Sequence, residues 1–245
     1  MVAAIDIGNT NVHVGFYQGE KLIKSFMYPT AKKFVEYKII KTLANKNLHG
    51  LAIASVVPKL TPKFVRCFKK KLNLSPLVIS PKLNCHLKFQ YDNPETLGAD
   101  RIANVVGGLA RYGKDLIVID FGTATTFDIV LKNGDYLGGL IIPGIGTSLE
   151  TLSEKTALLP KITLKKSAKV IGHSTQECIR SGILNSTIAM TKGLIEKIRK
   201  EKKKNFLCIA TGGWGKMVSS HVKEIAHFDS DLCLYGILRI YGYND

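Results

Sequence analysis

Apolar residues in this chain come in short runs broken by glycine-containing turns. The first run, Val2-Ala3-Ala4-Ile5, ends on an acid, Asp6. Runs of that length predict strands at 3–7, 11–17 and 21–28, with Gln18-Gly19-Glu20 as a turn. The same succession recurs at 116–121, 125–131 and 135–142, turning at Lys132-Asn133-Gly134-Asp135. Helical spacing follows at 31–46 (Phe34, Ile39, Ile40, Leu43), 62–72 (Phe64, Val65, Phe68, Leu72) and 101–112 (Ile102, Val105, Val106, Leu109). Short buried-type strands are expected at 51–57, 76–80 and 206–210. Ser174 and Glu177 have the spacing of a capping box, opening a long helix to about 200 with Ile183, Ile188, Ile195 and Ile198 on its apolar side. Strands first and helices after, twice over, predict an α/β protein with mixed strand directions.

The repetition extends to individual residues. Asp6-Ile7-Gly8-Asn9-Thr10-Asn11 returns as Asp120-Phe121-Gly122-Thr123-Ala124-Thr125, and the same offset carries Pro29 onto Pro143. An acid at a strand end, then glycine and hydroxyl or amide side chains, suits phosphate and cation binding. Glycine lets backbone amides approach an oxyanion, and Thr or Asn adds donors. Two such loops predict two related domains, 1–114 and 115–245, with a nucleotide held between them. The boundary falls near Tyr112-Gly113-Lys114.

Composition changes this picture little. At 245 residues, 45% hydrophobic and 22% charged, the chain reads as an ordinary globular protein. No apolar run is long enough to cross a bilayer, and Asp6 interrupts the one candidate signal segment, so a cytoplasmic protein without membrane partners is expected. Cys67, Cys85, Cys178, Cys208 and Cys233 are odd in number and lack CxxC spacing, which argues against disulfides or zinc and for small buried hydrophobes. The net charge of +16 invites a nucleic-acid reading. However, the lysines sit in short runs at 69–71, 165–166 and 202–204, two of them ending helical patterns, with no aromatic residue interleaved. A solvated basic surface is expected rather than a nucleic-acid partner.

Four segments carry the candidate chemistry: DIGNTN at 6–11, YDNPETLGADR at 91–101, DFGTATT at 120–126, and the Gly-, Pro- and Thr-rich stretch 138–160. In this order and spacing the chain resembles the type III pantothenate kinases, of the acetate/sugar-kinase, heat-shock-chaperone and actin superfamily. The resemblance runs from Asp6 to Thr211-Gly212-Gly213. It implies two tandem ribonuclease-H-like domains with mixed sheets and an interdomain nucleotide cleft. The implied reaction moves the γ-phosphoryl of ATP to pantothenate, the first step of coenzyme A biosynthesis. A homodimer, Mg2+ with the ATP, and a monovalent cation (K+ or NH4+) are implied as well.

Residue by residue, the family's ATP loop covers Asp6, Ile7, Gly8, Asn9, Thr10, Asn11, Val12 and His13, and Thr123 matches a second phosphate contact. Asp6 stands where a carboxylate would meet Mg2+ on a triphosphate. Asp120 resembles the monovalent-cation ligand. Tyr91, Gly98, Ala99, Asp100, Arg101 and Thr175 match the pantothenate site, although His173-Ser174 depart from the family's usual Asn-Thr pairing. Asp100 resembles the proton acceptor, since a primary alcohol is too weak an acid to ionise before it attacks. Arg101 offers a fork of donors to substrate or developing charge. Gly212 and Gly213 sit where related folds admit adenosine. Two other readings are a nucleotide-binding accessory factor in gene regulation, which predicts damaged motifs, and a nuclease, which needs clustered carboxylates on two metals. The motifs are intact, and Asp6 and Asp120 fall in separate halves.

Overall fold

The computed structural model describes residues 1–31, 35–44, 46–164 and 169–245. Phe34 and Lys165-Lys166 lie outside the described residues, as do positions 32, 33 and 45 of the helix expected at 31–46. By its contacts the chain forms two units. One comprises Met1–Gly113, Val130–Gly138 and Asp231–Asp245; the other comprises Lys114–Ile129 and Gly139–Ser230.

In the first unit, β1 (Val2–Ile7), β2 (Asn11–Gln18) and β3 (Lys21–Pro29) form an antiparallel meander. After α1 (Val35–Ala44) the chain adds β4 (Gly50–Ser55) parallel to β1, then α2 (Thr61–Leu72) and a short β5 (Leu77–Val78). Sheet order is β3-β2-β1-β4-β5. Strand alternation decides what each face does. Ala3, Ile5 and Ile7, with Val12, Val14 and Phe16, pack onto Ile39 and Leu43 of α1 and Phe64 and Phe68 of α2. Asp6 pairs with His13 in register, which puts both on the opposite face. The strand expected at 76–80 shrinks to two residues. Next come β6 (Lys88–Phe89), a 3-10 turn at Pro94–Thr96 and α3 (Ala99–Tyr112), which a left-handed Gly113 ends at φ 58°.

The second unit repeats the scheme with β7 (Leu116–Phe121), β8 (Ala124–Val130), β9 (Asp135–Pro143), α4 (Ile145–Lys155), α5 (Thr175–Lys202), β10 (Leu207–Thr211), α6 (Gly215–Ser219) and β11 (Ile225–Phe228). The sheet order is β11-β10-β7-β8-β9-β6, with β10 parallel to both β7 and β11. Without β6 this matches the order of the first sheet. The start of β9 counts with the first unit, where Asp135 and Tyr136 pair with Lys88 and Phe89.

The last helix, α7 (Leu232–Asn244), returns to the first unit and packs on α3, β1 and β4. Glycines set the closeness of that packing. A Cβ on Gly107 would lie 2.5 Å from the Leu232 carbonyl oxygen, and one on Gly15 would lie 2.9 Å from Leu234 Cδ1. No described helix is long and apolar enough to cross a membrane. No disulfide joins the five described cysteines: Cys85 and Cys208 are buried, Cys67 and Cys233 half-buried. Cys178 is exposed, against the expectation of a buried hydrophobe, because it stands in the first turns of α5 on its outer side.

Candidate active site

The first candidate loop follows β1 directly. The Gly8 amide donates to the Asn11 carbonyl at 2.9 Å, while Thr30 donates from its amide to Thr10 O (2.9 Å) and from its hydroxyl to Gly8 O (2.7 Å). The Gly8 N–H, which sequence offered to a phosphate, therefore closes the turn instead. A Cβ at Gly8 would stand only 3.1 Å from Asn11 O. Asn9, Thr10 and Asn11 are exposed at the tip. Ile7 and Val12 are buried in the α1–α2 cluster, which leaves only their backbone for a ligand. His13 is half-buried; burial holds its imidazole below the usual range, against the opposing pull of the Asp231 charge.

Asp100 lies in the first turn of α3, after the N-cap Gly98. Its Oδ1 accepts the Arg101 amide at 2.7 Å. Burial raises the carboxyl above the ordinary aspartate value, opposed by the Arg101 amide and guanidinium. Gly98 leaves room for this carboxylate: a Cβ there would sit 2.5 Å from Asp100 Oδ1 and 3.4 Å from Val56 Cγ1. Val56 in turn donates its amide to Ile7 O at 3.1 Å. The end of β1, carrying Asp6, and the start of α3, carrying Asp100, thus share Val56 as a neighbour. Ala99, Arg101 and Asn104 are buried around them. Tyr91 is half-buried, with its ring centroid 6.1 Å from that of the fully buried Tyr136.

In the second unit, Asp120 ends β7 beside Thr211 of β10. Gly212 has φ +84°, and a Cβ on it would collide with Asp120 Oδ1 and sit 2.7 Å from the Phe121 carbonyl carbon. Gly122 flanks the same carboxylate, its own Cβ position being 3.3 Å from Oδ1. The absence of a side chain at both glycines therefore lets the Asp120 carboxylate lie close against their backbones. The exposed Thr123 accepts at its carbonyl from the Gly144 amide (3.0 Å) and the Thr147 hydroxyl (2.7 Å). Trp214 donates its amide to Phe121 O at 3.1 Å, which ties the Gly212-Gly213 turn to the strand end. Among the described residues no three His, Cys, Asp or Glu side chains cluster as a metal cage. A divalent ion carried by a triphosphate brings phosphate oxygens and water as ligands, so a single protein carboxylate fits that chemistry.

Comparison with known proteins places this arrangement. The family model for type III pantothenate kinase matches residues 2–197. The chain belongs to that family. It is 41% identical to the type III pantothenate kinase of Persephonella marina, over 100% of this chain and 99% of the relative. It is 38% identical to that of a Sulfurihydrogenibium species, over 99% and 100%. A ROK family glucokinase from Streptomyces griseus, solved with glucose and AMPPNP, shares the fold at a TM-score of 0.54, with 12% identity over 98% of this chain and 99% of that one.

The site positions expected from the sequence divide between the units. Asp6 to His13, Tyr91 and Gly98 to Arg101 are in the first; Asp120, Thr123, Thr175 and the Gly212-Gly213 turn are in the second. Thr175 is exposed as the first residue of α5. Ser174 caps that helix, accepting the Glu177 amide at 3.3 Å, and Glu177 reaches back to the His173 amide at 2.8 Å. The reciprocal arm of the capping box so falls one residue earlier than its usual place. Sequence reasoning missed Val56, Thr30 and Asp128. Asp128 is fully buried and accepts from the Thr126 hydroxyl at 3.3 Å. A carboxylate inside the apolar alternation of β8 was a readable signal. Val56 gave none, because its role comes from tertiary contact.

Proposed function

We propose that this chain transfers the γ-phosphoryl group of ATP to the primary hydroxyl of pantothenate, with Asp100 as proton acceptor. The observation that carries the reading is the half-buried Asp100 carboxylate, set beside the end of the Asp6 strand through Val56. As the hydroxyl oxygen bonds to phosphorus and the bond to ADP breaks, the alcohol proton passes to Asp100 Oδ. Phosphoryl transfer proceeds through a loose transition state, so positioning and charge neutralisation supply most of the help. Asn9, Thr10 and Asn11 present donors to the phosphates, and Arg101 holds the acceptor. Mg2+ bound with ATP, met by Asp6, would neutralise phosphate charge. K+ or NH4+ at Asp120 would do the same on the second loop. A homodimer, in which Thr175 serves the pantothenate site, and a cytoplasmic location belong to the same reading.

The test is ADP release from Mg-ATP with pantothenate and K+, beside Asp100→Asn, with the product identified by mass spectrometry. Pantothenate-dependent turnover that disappears in a folded Asp100→Asn supports the reading. An active variant sinks the proton-acceptor role. Replacing K+ by Na+ or a bulky organic cation is expected to lower the rate, and equal rates would remove the monovalent role of Asp120.

A further inference from the structure

The strongest charged feature outside the candidate site is the outer face of α1 and α2. Phe64 and Phe68 turn inward to the core, so the opposite side of α2 is all solvent. Lys63, Arg66 and Lys70 follow one another there at helical spacings of three and four, with Lys69 and Lys71 on the flanks. These five side chains are exposed, and none takes part in a described ion pair. The helix carries no acid at all. Beside it, α1 exposes Lys38 and Lys41 against a single acid, Glu36. It also exposes Tyr37, whose side is 46% accessible. Sequence showed no aromatic residue among the lysine runs; α1, which packs on α2, exposes one.

We propose that this face binds single-stranded nucleic acid, the lysines and Arg66 tracking the phosphate backbone and Tyr37 stacking on a base. A regular file of cations with an exposed aromatic on the neighbouring helix suits single strands held without sequence preference. A membrane partner fits less well, because an interfacial helix needs its apolar side chains turned outward and those of α2 are consumed in the core. An acidic protein would want an exposed apolar anchor near the centre of the patch, and α2 offers none. The face lies across the sheet from the side bearing Asp6 and His13, so binding there is independent of the proposed kinase reaction.

The experiment measures a fluorescent 20-nucleotide single strand against the intact protein by anisotropy at two salt concentrations. Contacts to three or four phosphates predict a roughly 20- to 50-fold weakening between about 50 and 200 mM salt. The triple variant Lys63→Gln/Arg66→Gln/Lys70→Gln is expected to bind at least about tenfold more weakly and to flatten the salt slope by about 2. Tyr37→Ala should weaken binding without changing that slope. Lys197→Gln/Lys200→Gln/Lys203→Gln removes the same charge from the end of α5 and should bind like wild type. Thermal melts and ADP release, unchanged in every variant, show that the fold survives. The proposal is overturned by absent binding in wild type, by equal loss in the α5 control, or by full binding in the α2 variant. Tighter capture of anionic phospholipid vesicles by the same residues would also overturn it.

Discussion

Burial makes the Asp100 carboxyl hold its proton more tightly than a free aspartate does, while the Arg101 amide and guanidinium pull the other way. A proton acceptor must be ionised to work. The value of kcat/KM for pantothenate should therefore fall on acidification through a pKa above the ordinary 3.8, a limb visible in a pH–rate profile. The same shift has a cost in stability. The folded state binds this proton better than the unfolded chain, so whatever stability it lends is present at low pH and lost as pH rises through the raised pKa. Asp100→Asn should accordingly abolish turnover without lowering Tm at neutral pH, and a lowered Tm would contradict the burial argument. Gly212 is the converse case, a residue whose side chain is forbidden. Its φ of +84° and the nearness of Asp120 both exclude a Cβ. Gly212→Ala is expected to cost about 1–3 kcal/mol, read by denaturant titration, and to disturb the Asp120 carboxylate as well.

On the proposed function, helix α5 carries two separable roles at adjacent residues. Ser174 caps the helix, and Thr175 is exposed one position later. Ser174→Ala should lower stability by about 1 kcal/mol with little effect on the KM for pantothenate. Thr175→Ala should raise that KM with little effect on stability. Paired melts and kinetics check the split, and a reversed pattern would exchange the two assignments. The cap was readable from Ser174 and Glu177, but the buried face was not. Ile195 and Ile198 are buried as expected, whereas Ile183 and Ile188 are only half-buried, and Ser181, Thr187 and Thr191 take the interior instead. Each of those threonine hydroxyls donates to the carbonyl one turn back, Thr187 to Ile183 and Thr191 to Thr187, both at 2.7 Å. A self-satisfied hydroxyl can be buried cheaply, so hydropathy alone misjudged the side.

At the scale of the whole chain, the repeated motif correctly announced a repeated topology, β3-β2-β1-β4-β5 and β9-β8-β7-β10-β11. Both loops follow from it, since each acid stands near the end of the strand, β1 or β7, that joins its meander to the parallel strands. What the repeat did not announce is that α7 belongs with the first unit. Its near-continuous apolar stretch has no helical period to mark one face, because most of its sides are covered. Leu232, Leu234, Ile237, Leu238 and Ile240 are all buried, together contributing about 7 to 15 kcal/mol. That sum is comparable to the whole stability of an ordinary domain. Polar latches add to it: Asn244 and Asn84 exchange hydrogen bonds at 3.0 and 2.9 Å, and Arg111 pairs with Asp231 at 2.8 Å. The first unit therefore cannot complete its core until the last residues of the chain are available. A chain truncated after Ser230 should lose cooperative unfolding in that unit and leave the α3 face around Gly107 open to a hydrophobic dye. Adding residues 231–245 as a separate peptide should restore both, since the groove for α7 is shaped by Gly15, Gly50 and Gly107. A truncated protein that melts cooperatively near the full-length Tm would show instead that the first unit stands without its final helix.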